Sequence, residues 1–370
     1  MPAGEVVPTT MLELTEAEQS FTFDGLASKP VPSILRDFSA PVILDRAVST
    51  EERAFLLAHD TDPFNKWEAG RALAKDVLTR MVTEDAAPDA AFLDALARVA
   101  MDDNLDPAFR ALALALPSED DIAQTLHEAG ITPDPTRIHD KRSALRKAMA
   151  LHMQSQLAGL YDTMRVAGPY SPDAKAAGRR ALGGAALGLL TKLDGGAKAD
   201  AVFQGTDNMT EEFGALANLI STDHGPAAVQ IFYDRWSSDR LVMDKWFMVQ
   251  TARAKPDQAL AVAKALEEHP DFNWQNPNRL RALLNGVVHA NPAAFHAADG
   301  AAYAWFADWI IRVDAINPQV AARSTTFFET WARYDGDRQS LMRDALSRIA
   351  ATEGLSRDSS EMVSRILGTE

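Results

Sequence analysis

The sequence predicts a mainly α chain: an irregular superhelix of stacked helix pairs, preceded by a few β-strands. Three observations carry that prediction. One kind of helix start recurs along most of the chain, an Asp, Asn or Ser followed directly by proline. Apolar residues after Ser49 keep a helical period. Before Ser49 they alternate instead, as strands do.

Residues 1–45 are the strand-like part. Met11, Leu12, Glu13 and Leu14 form one alternating run, and Ser20, Phe21, Thr22 and Phe23 form another after a polar turn. Two more extended pieces carry prolines suited to sheet edges, at Pro30 to Pro32 and from Pro41 through Leu44. These strands are too few to bury a face of their own, so they read as part of an incomplete sheet.

Residues 46–370 read as helical throughout. Ser49 with Glu52 fits a capping box. Asp62–Pro63, Asp106–Pro107, Asp134–Pro135 and Ser171–Pro172 each place a capping side chain before a proline that has no donor to lose. After Pro63, Leu73, Val77 and Met81 fall at steps of four, with Ala74 and Leu78 widening the same face. Asp134 to Val166 accommodates one long helix or two. Gly183, Gly184 and Gly188 are expected to let two helix backbones approach closely. No strict repeat period aligns, which leaves an irregular stack of the HEAT or armadillo kind rather than a regular tetratricopeptide or ankyrin array. Phe306, Ile310 and Val313 share a face with Trp305 and Trp309 beside it, predicting a helix buried on two sides.

The stretch 276–323 is the most unusual. Three Asn-Pro pairs, at Asn276, Asn291 and Asn317, each predict a new helix. Arg279 and Arg281 fall in the first turns after Asn276, where a cation is disfavoured by roughly 0.3–1 kcal/mol. Two guanidinium groups at such a place point to an anion, although a solvated face explains either arginine alone.

Bulk properties exclude several classes. The 37 Lys and Arg against 52 Asp and Glu give a net charge of −15 over 370 residues, which argues against broad nucleic-acid or anionic-membrane binding. The chain has no cysteine, so disulfides, thiolate nucleophiles and cysteine zinc sites are absent. With no secretory leader or spanning segment visible, a cytoplasmic location is expected. His127 and Glu128 begin a zinc-peptidase string, but the second histidine is missing. His289 and His296 are separated by Pro292 and read as capping or core residues. No Gly-x-Ser-x-Gly elbow or phosphate loop occurs. The chain alone is expected to be chemically inert.

The series Val242, Met243, Asp244, Lys245, Trp246, Phe247, the stretches at 12–19, 38–42, 55–59 and 207–210, and the Asn-Pro segments together resemble the C-terminal part of bacterial aminopeptidase N. The likeness runs through essentially the whole chain. It implies a four-domain zinc metallo-aminopeptidase, with residues 1–45 as the last strands of a β-sandwich and the rest as a helical domain. The family's His-Glu-x-x-His motif and Gly-x-Met-Glu-Asn segment have no counterpart here, so no catalytic or metal-binding residue carries over and zinc is implied only for the full-length enzyme. What carries over is a wall around the substrate cavity. Arg281 and Arg323 are the matching cavity-facing positions, offered to a peptide's carboxylate. The implied partners are the catalytic portion and peptide substrates. A free-standing helical scaffold that binds a protein partner is the alternative.

Overall fold

The structure, a computed structural model, describes residues 9–368. Residues 9–48 form no strand, and their only regular element is a single 3-10 turn, Arg36–Phe38. The expected strand pieces have no backbone ladder. Their apolar side chains stay open to solvent, Met11 at 83% and Ile43 at 99% exposure. Alternation is a local signal, whereas a strand exists only against a neighbour that accepts its hydrogen bonds. This segment is instead pinned at one corner. Arg36 donates to Asp60 Oδ1 and Thr61 Oγ1, both at 2.7 Å, and Asn65 donates to the Ile34 carbonyl at 2.9 Å.

The mainly helical architecture is the one predicted. The first half contains α1 (Thr50–His59), α2 (Pro63–Glu84), α3 (Ala90–Met101), α4 (Pro107–Ala113), α5 (Glu119–Glu128), α6 (Pro135–His152), α7 (Gln154–Thr163) and α8 (Ala174–Asp194). The second half contains α9 (Ala197–Gly205), α10 (Met209–Leu219), α11 (Gly225–Trp236), α12 (Arg240–Arg253) and α13 (Pro256–Glu267). It continues through α14 (Pro277–Val288), α15 (Pro292–Phe295), α16 (Ala301–Asp314), α17 (Pro318–Thr325), α18 (Gly336–Ala350) and α19 (Arg357–Leu367).

The cap-then-proline starts behave as their chemistry requires, with two exceptions. Asp62, Asp106, Asp134, Asn276 and Asn317 each accept a backbone N–H of the helix they open. Ser171 does not open α8. Its hydroxyl donates to Asp173 at 2.5 Å, and Asp173 is the cap. Asn291 opens only the single turn α15 and gives its amide to the carbonyls of Thr251 and Ala254, at 3.1 and 3.0 Å. The ambiguous stretch after Asp134 is two helices, with the break at Met153.

Two apolar cores meet on α8. One gathers α1 to α8 around Leu73, Leu78, Phe92 and Leu145; the other gathers α8 to α19 around Phe247, Phe295, Phe306 and Phe328. Leu187 belongs to the second and Leu189 to the first, so α8 is the shared spine. On α16, Tyr303, Trp305, Phe306, Trp309 and Ile310 are all buried, as a doubly covered helix requires. Both of its indoles donate to Glu267 Oε1, at 2.5 and 2.7 Å, which satisfies the polar ends of two buried rings.

Close backbone approach is found at other glycines than 183, 184 and 188, the last of which faces the side chains of Arg146 and Asn218. A Cβ on Gly178 would lie 3.1 Å from the Ala108 nitrogen, marking the close crossing of α4 and α8. A Cβ on Gly286 would lie 2.8 Å from the Met248 carbonyl, where α12 and α14 cross. Gly184 faces open space.

The two halves also touch away from α8. The short α15 packs on α5 and α6, half a chain away in sequence. Arg333, in a turn after α17, pairs with Asp120 on α5. The second half therefore folds back onto the first at α5 and α6.

Candidate functional site: the basic inner face

Arg279 and Arg281 part company. Arg279 is buried, donating from Nε to Asp244 Oδ1 at 2.6 Å and from Nη1 to the Asp271 carbonyl at 2.5 Å. Its guanidinium carbon sits 4.7 Å from the Phe247 ring. The anion this arginine meets is thus internal, and it ties α14 to α12. Arg281 is exposed and folded back on its own first turn, donating to the Pro277 carbonyl at 3.0 Å and to Asn278 Oδ1 at 2.7 Å. Asp244 belongs to the same chain segment that carries the resemblance, so this buried pair is part of the fold and not of a binding surface.

Arg323 is exposed near the end of α17, where its cation suits the helix dipole. Among the described residues its side chain has no hydrogen-bond or ion-pair partner. Arg281 and Arg323 do not touch. Past the ends of their helices, His289 and Phe327 pack with ring centroids 6.2 Å apart.

A larger group of cations was not singled out by sequence. Arg142 and Arg146 lie one turn apart on α6, Lys192 is on α8, and Arg253 ends α12. Arg142 is held by the Pro117 carbonyl at 2.7 Å. Arg146 fits against α8 because residue 188 is glycine: a Cβ there would lie 2.7 Å from its Nη2 and 3.2 Å from Asn218 Oδ1. Burial lowers the Arg146 pKa to about 10, and the charges of Arg253 and Arg142 add to the effect. Lys192 is lowered by burial and then by Arg146 and Arg253. Arg253 is lowered by burial alone. No carboxylate offsets these three shifts. Yet Lys192 and Arg253 remain solvent-exposed. A signal existed in the sequence: two like charges at i and i+4 cost helix stability without an evident return.

The histidines take structural roles. His296 is buried, with Nδ1 2.8 Å from the Tyr303 hydroxyl and its ring stacked 4.2 Å from Tyr334. Burial, then the charges of Arg333 and Arg338, drive its pKa down to about 3. His127 lies in the last turn of α5, and Gly130 follows in the left-handed region at φ 75°, which stops the helix there. Among the described residues no group of three His, Asp or Glu side chains is placed to hold a metal ion, so they do not fit zinc. A cleft of about 320 Å³ lies between α7, α8 and α10, lined by Tyr161, Tyr170, Arg180, Leu187 and Glu211, with Gly183 and Gly184 on its floor.

Residues 50–368 match the family described as a domain of unknown function, DUF3458_C, of ARM repeats. The chain belongs to that family. Residues 1–47 match its companion, DUF3458, described as an Ig-like fold. The chain is 41% identical over 367 residues to aminopeptidase N of Caulobacter vibrioides, covering 97% of itself and 42% of that protein. It is 32% identical to aminopeptidase N of Escherichia coli, covering 98% of itself and 43% of that protein. A crystal structure of Legionella pneumophila aminopeptidase A in complex with aspartic acid superposes with a TM-score of 0.82 at 27% identity, covering 93% of this chain and 41% of that one. This DUF3458_C chain therefore corresponds to the C-terminal portion of aminopeptidase N proteins and spans less than half of their length.

Proposed function

We propose that this chain walls the substrate cavity of a cytoplasmic aminopeptidase. In that role it controls peptide access to a zinc site in an upstream catalytic portion and contributes no catalytic group itself. The observation that carries the reading is the pairing of Arg333 with Asp120, which folds the second half of the stack back onto the first and suits a curved wall. Similarity to aminopeptidase N over nearly the whole chain supports it, as does the 57–58% of each relative's length that this chain leaves for other domains.

Peptides are the partners the wall receives. Arg281 and Arg323 are exposed cations without carboxylate partners, suited to the charged end of a peptide lying downstream of the scissile bond. A guanidinium holds a carboxylate through two parallel hydrogen bonds. For Arg281, that carboxylate replaces the Asn278 side chain it now engages at 2.7 Å.

Zinc content and aminoacyl-anilide hydrolysis of the purified chain test the division of labour. The expected result is neither turnover nor stoichiometric zinc. One tightly held zinc per chain, or hydrolysis that follows the protein through purification, overturns it.

A further inference from the structure

Arg146, Lys192 and Arg253 lie near enough to act on one another's charge, and no carboxylate offsets them. Arg146 reaches across from α6 into the space left by Gly188 on α8, and Lys192 projects one turn further along α8. Arg253 ends α12, and that end is fixed in place. Asn291 donates to the carbonyls of Thr251 and Ala254 on either side of Arg253, and α15, which follows Asn291, packs on α6. Four separate segments thus hold three positive charges together.

Such an arrangement opposes folding. Like charges repel in a setting where surrounding protein weakens the screening by water. A protein of net charge −15 has carboxylates to spare, yet none is placed here. Elsewhere the same fold pairs its buried arginines carefully: Arg279 with Asp244, and Arg110 with two hydrogen bonds to the Ala100 carbonyl and one to Asp103. Arg142, beside the cluster, spends its fork on the Pro117 carbonyl and serves as backing.

We propose that Arg146, Lys192 and Arg253, carried by α6, α8 and the end of α12, form a binding site for a small, multiply charged oxyanion. Two planar forks and one ammonium offer donors from three directions, which suits a ligand bearing several oxygens and two or more negative charges. Asn218 Oδ1 borders Gly188 beside Arg146. The site is separate from Arg281 and Arg323 and stands whether or not peptides meet this chain.

Phosphate esters and polycarboxylates share this chemistry, so titration calorimetry with pyrophosphate and with citrate at low salt distinguishes the sources. Wild-type chain is expected to bind at least one of them with a sub-millimolar Kd. Lys192→Ala and Arg253→Ala are expected to weaken that binding at least tenfold each. Lys147→Ala, on the exposed side of α6, is expected to leave it within twofold. Without ligand, the two cluster variants are expected to melt no lower than wild type, since each relieves repulsion. Binding of pyrophosphate alone assigns a phosphate-bearing ligand, and citrate alone a polycarboxylate. Absence of binding for both anions overturns the site, as does equal loss in the Lys147 variant.

Discussion

The guanidinium of Arg333 meets the carboxylate of Asp120 across 213 positions of sequence. Arg333 is buried, with only 5% of its side chain exposed, and also donates to the Tyr334 hydroxyl at 3.0 Å, whereas Asp120 is 63% exposed. This pair adds to the packing of α15 on α5 and α6 in holding the second half of the stack against the first.

The unequal burial of the two partners makes their removal unequal. Arg333→Ala empties a buried position and leaves Tyr334 and Gln124 without their donor, so it is expected to cost about 3 kcal/mol. Asp120→Ala removes a mostly hydrated carboxylate and is expected to cost about 1 kcal/mol. Urea unfolding of both variants gives the comparison; equal costs contradict the pairing as drawn.

Two histidines act in opposite directions on stability. His296 has a folded pKa near 3 against an ordinary value of 6.5. The unfolded chain therefore takes up its proton first as pH falls. Stability drops below pH 6.5 by roughly 1.4 kcal/mol per pH unit from this residue, until the folded pKa is reached. His139, 2.7 Å from Glu119 Oε1, has a raised pKa, chiefly from that hydrogen bond. Its contribution is fully present below 6.5 and is lost as pH rises through the folded value. Melting curves from pH 4 to 8 are expected to flatten on the acid side in His296→Gln, with a loss of stability near neutral pH from the vacated packing. In His139→Gln the acid-side advantage from the Glu119 contact is expected to disappear.

Packing sets the cost at the crossing of α12 and α14. A methyl group on Gly286 has no room beside the Met248 carbonyl and Thr251, so Gly286→Ala is expected to destabilise by about 1–3 kcal/mol. Phe306, 1% exposed among Phe295, Phe327 and Phe328, is expected to cost about 3–5 kcal/mol on truncation to Ala. Chemical denaturation measures both, and a neutral Gly286→Ala contradicts the close crossing.

What was legible in the sequence was local. A capping side chain before proline acts within one turn, which is why Asp62, Asn276 and Asn317 could be read directly. Asn291 could not, because its amide is claimed by carbonyls some forty positions earlier. Alternation between Met11 and Leu44 described a strand surface without supplying the neighbour a strand needs. Arg279 and Arg281 looked alike in sequence, and only the approach of Asp244 from α12 separates them. Arg253 sits at a helix end where a cation is unremarkable, so nothing local marked its approach to Arg146 and Lys192.

The central claim is that the wall receives peptides through its exposed arginines. The most direct measurement compares kcat/KM for a tetrapeptide and for an aminoacyl-anilide in the full-length aminopeptidase containing this chain, with and without Arg281→Ala and Arg323→Ala combined. The account predicts a drop of about tenfold or more for the peptide, from lost charge-assisted hydrogen bonds, and little change for the anilide, which has no distant carboxylate. Unchanged peptide turnover, or an equal loss for both substrates, contradicts it.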